Sequence, residues 1–173
     1  MIQSPFRFEQ NLTPDDFQKI GQLSLRWSHT EHIIANCLKV MLLLSDEEAV
    51  IMIFPLTLDA RLQRIDKLKK LNPLPSKASA AFDELKWAME VLKQIRNTVI
   101  HAVMLDDARG AAVLELRSKK RSFAKAQVFD SEELTNYAAH AAIIMRHELG
   151  EKDPDFTPPP LPARPLIPES LRR

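Results

Sequence analysis

Glycine, cysteine and aromatic residues are scarce in this chain. Only three glycines occur in 173 residues, and aromatic residues make up 6% of the sequence. This scarcity disfavours a large β-sheet, and it equally disfavours a glycine-rich loop that cradles phosphate. The one cysteine, Cys37, has no partner for an internal disulfide, and its place in an apolar helical run suits a reducing cytoplasm.

Long apolar runs and a strong net charge are also missing. No apolar stretch approaches the roughly 20 residues that cross a bilayer. The segment Met1–Phe8 lacks the basic-then-apolar order of a signal peptide. We therefore expect a cytoplasmic protein without a membrane partner. The formal net charge of +1 argues neither for nor against nucleic acid as a partner.

What the sequence does contain is helical periodicity. With 45% hydrophobic and 27% charged residues, the composition is typical of one soluble globular domain. Apolar residues recur in steps of three and four, which predicts an all-α, up-and-down bundle. The predicted helices cover residues 13–44, 45–54, 56–71, 77–104 and 130–149. Together they form one domain over residues 13–150, preceded by an extended segment at 1–12.

Capping signals set several of the predicted helix ends. Ser45 is followed three residues later by Glu48, and Asp130 is followed in the same way by Glu133. Each pair predicts a capping box, in which the two side chains satisfy backbone N–H groups at the start of a helix. Gly150 is placed to end the last helix, because glycine readily adopts the left-handed conformation found there.

Between the fourth and fifth predicted helices, the pattern changes from helical to extended. Ala111–Leu116 and Ala124–Phe129 have the composition of two short strands, which predicts a small β-hairpin over about residues 111–129. Its tip is basic and could follow a nucleic-acid backbone, or it could be no more than a solvated turn. The candidate RNA-binding residues at this tip are Arg117, Lys119, Lys120, Arg121 and Lys125.

The C-terminal segment, residues 151–173, is rich in proline. Seven of the chain's twelve prolines fall within residues 153–173, and no apolar period runs through them. We expect an extended or disordered tail, which would act as a flexible end or as a strap along a partner subunit. A ligand for a proline-binding groove is a further alternative. Because little apolar surface is expected to be buried there, truncation after Gly150 should leave the fold intact.

The candidate functional residues lie near the end of the fourth predicted helix. Asn97 and His101 are one helical turn apart and share a face, while Arg96 is rotated by about 140° from His101. The long Arg96 stem can still bring its guanidinium towards the imidazole. The apolar residues around them are spaced as a buried seam: Leu85, Ala88, Leu92, Ile95, Val99 and Ala102.

These three residue types suit the cleavage of RNA without a metal ion. A histidine can exchange protons at neutral pH, so His101 could take the proton of a 2′-hydroxyl or return one to the leaving oxygen. Arg96 stays charged and can grip two phosphate oxygens. Asn97 can donate to phosphate or orient His101. The same three side chains could instead form a hydrogen-bonded network that only locks helices together.

The stretch Arg-Asn-x-x-x-His at Arg96–His101 resembles the motif of the HEPN superfamily (higher eukaryotes and prokaryotes nucleotide-binding). Trp27-Ser28-His29-Thr30-Glu31 also looks like bacterial members of this group, and the resemblance covers roughly residues 12–149. It implies a helical homodimer in which two motif helices face each other. It also implies a metal-independent endoribonuclease of the toxin or phage-defence kind, with RNA as substrate and an antitoxin or other protein as partner.

Two residues of the first helix are candidate supports for the motif. Glu31 could pair with Arg96, since a buried arginine needs a compensating partner. Trp27 lies one turn before Glu31 and is more often a core anchor than a platform for stacking a base. His29 and His32 have a spacing that helical metal ligands use, but no further cluster completes a site. We therefore expect neither metal nor cofactor.

The alternative hypothesis is a non-catalytic HEPN-like module with a regulatory, scaffold or nucleotide-binding role. The stretch Pro55–Arg61 is faintly similar to the mannitol-repressor family, a regulatory group that also carries an Arg-Asn-x-x-x-His stretch. This similarity implies a regulatory protein.

Overall fold

The computed structural model describes residues 14–101, 103–105, 112–115, 122–124, 131–150 and 155–167. Within these ranges the chain is mainly helical, which confirms the all-α class. The five helices are α1 (Pro14–Leu42), α2 (Asp46–Met52), α3 (Leu58–Leu71), α4 (Ser76–His101) and α5 (Glu132–Glu148). None of the helices described is both long and apolar enough to span a membrane.

Three short strands lie between α4 and α5. They are β1 (Val103–Leu105), β2 (Ala112–Glu115) and β3 (Ser122–Ala124). They pair antiparallel in the order β1-β2-β3, with Val103 opposite Leu114 and Val113 opposite Ala124. The predicted helix over 77–104 therefore ends earlier, because residues 103–105 pair with β2 instead of continuing α4. The connections at 106–111 and 116–121 lie outside the described residues.

The local capping chemistry explains where several helices begin. The Ser45 hydroxyl accepts a hydrogen bond from the Glu48 backbone N–H (3.2 Å), and the Glu48 carboxylate accepts one from the Ser45 N–H (2.8 Å). This is the predicted capping box, and it starts α2. At α5 the prediction was one residue early, because the N-cap is Ser131 and its side chain makes no capping bond.

The C-terminal end of α5 also follows its prediction. Leu149 is the C-cap, and Gly150 follows with a φ of 120°. A positive φ strains any residue that carries a Cβ atom, which is why glycine ends the helix here.

The core is centred on α4. This helix packs most extensively against α5, and α1 lies against α5 and α3. The predicted seam is confirmed where side chains are described, since Leu85, Ala88, Leu92 and Ile95 are all buried. The side chains of Val99 and Ala102 lie outside the described part of the chain. Other large, fully buried core residues are Ile33, Ile34, Leu38, Ile53, Ile65, Phe82, Met89 and Met145.

The described part of the tail lies across α4 and α5. Residues 155–167 form neither helix nor strand. His140 of α5 is 2.9 Å from the Pro159 carbonyl oxygen, and Arg164 reaches Glu84 of α4. Leu161 and Ile167 pack against the hydrophobic core. The expectation that the tail buries little apolar surface is therefore wrong for these two residues.

Candidate functional site

Arg96 lies on the side of α4 that faces α1. Its guanidinium carbon is 5.4 Å from the centre of the Trp27 ring, within the range of a cation–π interaction. Trp27 is only 6% exposed and belongs to the core cluster. Trp27 is thus a core anchor that holds Arg96, and its ring is not accessible for stacking a nucleotide base.

The anticipated ion pair between Arg96 and Glu31 is not found among the described residues, although both belong to them. Arg96 is only half-buried, so its charge does not need a buried carboxylate. Glu31 contributes its backbone instead, since its carbonyl accepts a hydrogen bond from Arg61 (3.3 Å).

The buried arginine of this region is Arg61, which the sequence interpretation did not single out. It is 8% exposed and donates to the carbonyls of Phe54 (2.8 Å), Ile53 (3.3 Å) and Glu31 (3.3 Å). These carbonyls belong to α1 and to the α2–α3 connection. Arg61 is the last residue of the stretch Pro55–Arg61. Its contacts give that stretch a structural role in joining three segments.

Asn97 faces a different direction from Arg96. It lies at one end of an open groove between α3 and α4, with a volume of about 500 Å³. Lys93 bridges the groove to Asp59, and Lys86 on the same face pairs with Asp66 of α3. The groove is lined by Leu58, Asp59, Leu62, Gln63, Lys86, Met89, Glu90, Lys93, Gln94 and Asn97. It is a mixed polar and apolar surface in which positive and negative charges are paired.

His101 is the last residue of α4, and its side chain lies outside the described part of the structure. Its backbone position is four residues after Asn97 in the same helix. The basic residues proposed to contact RNA also lie outside the described residues: Arg117, Lys119, Lys120, Arg121 and Lys125.

The histidine pair on α1 has a contact of its own. His29 and His32 are both exposed, and the His32 ring lies 5.8 Å from the ring of Phe54. Across the ranges that the structure describes, no group of three or more histidine, cysteine or acidic residues is arranged to hold a metal ion.

A second polar cluster, which joins the tail to α4 and α5, was not anticipated. Arg164 donates from Nε and Nη2 to the two carboxylate oxygens of Glu84, at 2.6 and 2.9 Å. Tyr137 donates its hydroxyl to the same carboxylate (2.7 Å). The guanidinium carbon of Arg164 is also 4.6 Å from the centre of the Trp87 ring, which meets Tyr137 edge-on.

These contacts change the acidity of two groups. The hydrogen bond from Arg164 lowers the pKa of Glu84 below its ordinary value, because it stabilises the ionised carboxylate. Burial, together with the bond to Glu84, raises the pKa of Tyr137 to about 12. Glu84 and Arg164 are 80 residues apart in sequence, so no local pattern could have linked them.

A scan against protein-family models found no match, and searches of curated proteins and of solved structures also found none. The case for a function therefore depends on the motif and on its position at the end of α4.

Proposed function

We propose that the protein is a metal-independent endoribonuclease of the toxin or phage-defence type, with its active site at the C-terminal end of α4. The observation that carries this proposal is the placement of Arg96. Its guanidinium is held over Trp27, and no carboxylate of the described residues forms an ion pair with it. A cation–π contact positions the charge without neutralising it, which leaves N–H donors for a phosphate group.

The three motif residues would divide the chemistry between them. His101 would take the proton from the 2′-hydroxyl of a nucleotide, so that its oxygen attacks the adjacent phosphorus. Arg96 would stabilise the negative charge that grows on the phosphate oxygens, and Asn97 would position phosphate and imidazole relative to each other. The bond from phosphorus to the 5′-oxygen then breaks, and the leaving oxygen takes up a proton from the imidazolium of His101 or from water. The products are a cyclic phosphate and a free 5′-hydroxyl.

The groove between α3 and α4 offers a route for the substrate. Asn97 is at one end, and Gln63 and Gln94 also line the groove. Amide side chains both donate and accept hydrogen bonds, so they can meet the edges of unpaired bases. The basic residues around 117–125 would add attraction for the RNA backbone, which is strongest at low salt.

A second copy of the chain would complete the site. In the HEPN family two motif helices usually face each other, and we expect the same arrangement at the end of α4. Sedimentation at tens of micromolar should therefore report a dimer. A monomer at that concentration would argue against a shared cleft.

The second candidate is a non-catalytic module that regulates or scaffolds. It is favoured by the contact of Arg96 with buried Trp27 and by the paired charges along the groove, because both contacts also stabilise helix packing. Under this alternative, Arg96→Ala lowers the melting temperature and no RNA is cleaved. Under the enzyme proposal, Arg96→Ala reduces cleavage by more than its effect on folding explains.

The experiment that tests the proposal compares four proteins on a panel of RNA substrates: wild type, His101→Ala, Asn97→Ala and His29→Ala. The last variant is a matched control, because His29 is an exposed histidine of α1. We expect His101→Ala to cleave at least about 10²-fold more slowly than wild type, and His29→Ala to keep the wild-type rate. A folded, dimeric wild type that cleaves none of the RNAs would refute the enzyme and leave the module.

A further inference from the structure

The tail occupies a groove whose chemistry is that of a peptide-recognition site. We define the tail groove by four residues of α4 and α5: Glu84, Trp87, Tyr137 and His140. The tail residues that meet it are the proline-rich run from Thr157 to Pro165. The groove thus places aromatic rings, one carboxylate and one imidazole opposite the prolines and the arginine of the tail.

Each contact has a recognisable role in holding an extended proline-rich chain. The Glu84 carboxylate receives two N–H groups from Arg164, a two-pronged geometry that lysine cannot reproduce. The Trp87 ring stacks against the same guanidinium. His140 lies within hydrogen-bond distance of the Pro159 carbonyl oxygen. Proline-rich segments commonly dock in this manner, because their backbone loses little conformational freedom on binding.

The polar contacts of the tail are nevertheless exposed, and its apolar residues Leu161 and Ile167 are only partly buried. The Arg164 side chain remains 52% exposed although it is paired, and most residues from 157 to 165 are exposed. Exposed ion pairs contribute little to stability, because water and salt screen them. A segment held in this way can leave its groove without unfolding the bundle.

The fit between tail and bundle is also incomplete. A solvent-open cleft of about 400 Å³ lies next to the tail, bordered by Ala80 and Ala81 of α4, by Ile144 of α5 and by tail residues 157–161, with Lys77 and Glu148 also in its lining. The tail therefore leaves a mainly apolar part of the bundle surface uncovered. A different segment with a larger apolar side chain at this point would gain contacts that the tail does not make.

We propose that the tail groove is a recognition site for a proline-rich, arginine-containing segment of a partner protein, and that the chain's own tail fills it as a displaceable occupant. The negative Glu84 and the aromatic Trp87 select the arginine, and the cleft accepts an apolar residue several positions before it. A partner segment is favoured over the tail of a second copy. An identical tail would only repeat the contacts that the attached tail makes, and it would leave the same cleft uncovered.

The test measures binding of a fluorescent peptide with the sequence of residues 155–167 to the full-length protein. In wild type, the attached tail competes at an effective concentration in the millimolar range. Arg164→Asp places a carboxylate against Glu84 and should release the attached tail. We expect this variant to bind the peptide at least about tenfold more tightly than wild type, because a larger fraction of its grooves is open. Lys67→Asp, which makes the same charge change on an exposed residue of α3, should bind like wild type.

Two further arms make the outcome decisive. Glu84→Gln combined with Arg164→Asp removes the carboxylate from an open groove, so peptide binding should be lost, as it should for a peptide with alanine at Arg164. Equal peptide affinity of wild type and Arg164→Asp, with both proteins folded by circular dichroism, would overturn the proposal. Sedimentation tests whether the occupant is the tail of a second copy. Association that is lost in Arg164→Asp but kept in Lys67→Asp would show that copies exchange tails. That result would overturn the assignment of a partner segment.

Discussion

Replacing Arg61 by methionine should destabilise the protein by about 3 kcal/mol, because three carbonyls lose a charged donor at once. The bond to Phe54 is short (2.8 Å), and the bonds to Ile53 and Glu31 are longer (3.3 Å each). A hydrogen bond from a charged donor contributes roughly 1.5–3 kcal/mol, and the longer bonds lie at the lower end. Methionine keeps most of the apolar stem, so the loss reports the guanidinium and not a cavity.

Arg64 on the same helix provides the matched control. It is exposed, and its hydrogen bond to the Met52 carbonyl is long (3.4 Å). Arg64→Met should therefore stay within about 0.5 kcal/mol of wild type. For a domain of this size, 3 kcal/mol corresponds to a fall of roughly 6–12 °C in melting temperature, measured by circular dichroism. Equal melting temperatures for Arg61→Met and Arg64→Met would refute the structural role assigned to Arg61.

Three more predictions concern the tail and its cluster. Tyr137 is the chain's one tyrosine, so ultraviolet absorbance during an alkaline titration should show its pKa raised from 10.0 to about 12; a midpoint near 10 would contradict its burial and its bond to Glu84. Its stabilising contribution is fully present below pH 10 and should be lost as pH rises from 10 to 12. The pKa of Glu84 is lowered, so its contribution is present above about pH 4.5 and is lost as pH falls through the folded-state pKa. When the pH is lowered, the stabilities of wild type and Arg164→Ala should converge. A difference in stability that persists at low pH would contradict the role assigned to the Glu84 carboxylate. Truncation after Gly150 should lower the melting temperature, because the apolar contacts and the ion pair of the tail are removed; an unchanged melting temperature would show that those contacts contribute nothing.

The parts of the structure that the sequence predicted are those controlled by neighbouring residues. The pairing of Ser45 with Glu48 acts over three residues, so it identified the start of α2. The spacing of Leu85, Ala88 and Leu92 reflects the helical period itself, and all three are buried. The start of α5 was one residue off, since its N-cap is Ser131, whose side chain makes no capping hydrogen bond.

The parts that escaped prediction depend on contacts between distant segments. Arg61 satisfies backbone carbonyls, and carbonyls leave no signature in the residue types of the sequence. Arg164 pairs with Glu84, which is 80 residues away in sequence. The tail has no apolar period, so its sequence pattern gave no indication of this contact. Arg96 was expected beside Glu31, because opposite charges in a sequence suggest an ion pair more readily than a cation–π contact. The fold brings Trp27 to it instead.

The most direct test of the proposed activity is cleavage of one RNA and of the DNA with the same base sequence, in the presence of a chelator. Wild type should cleave the RNA and leave the DNA intact, because DNA lacks the 2′-hydroxyl from which His101 would take a proton. His101→Ala should cleave the RNA at least about 10²-fold more slowly, while His29→Ala should behave as wild type. Cleavage of the DNA, loss of activity with the chelator, or full RNA cleavage by His101→Ala would contradict the proposed activity.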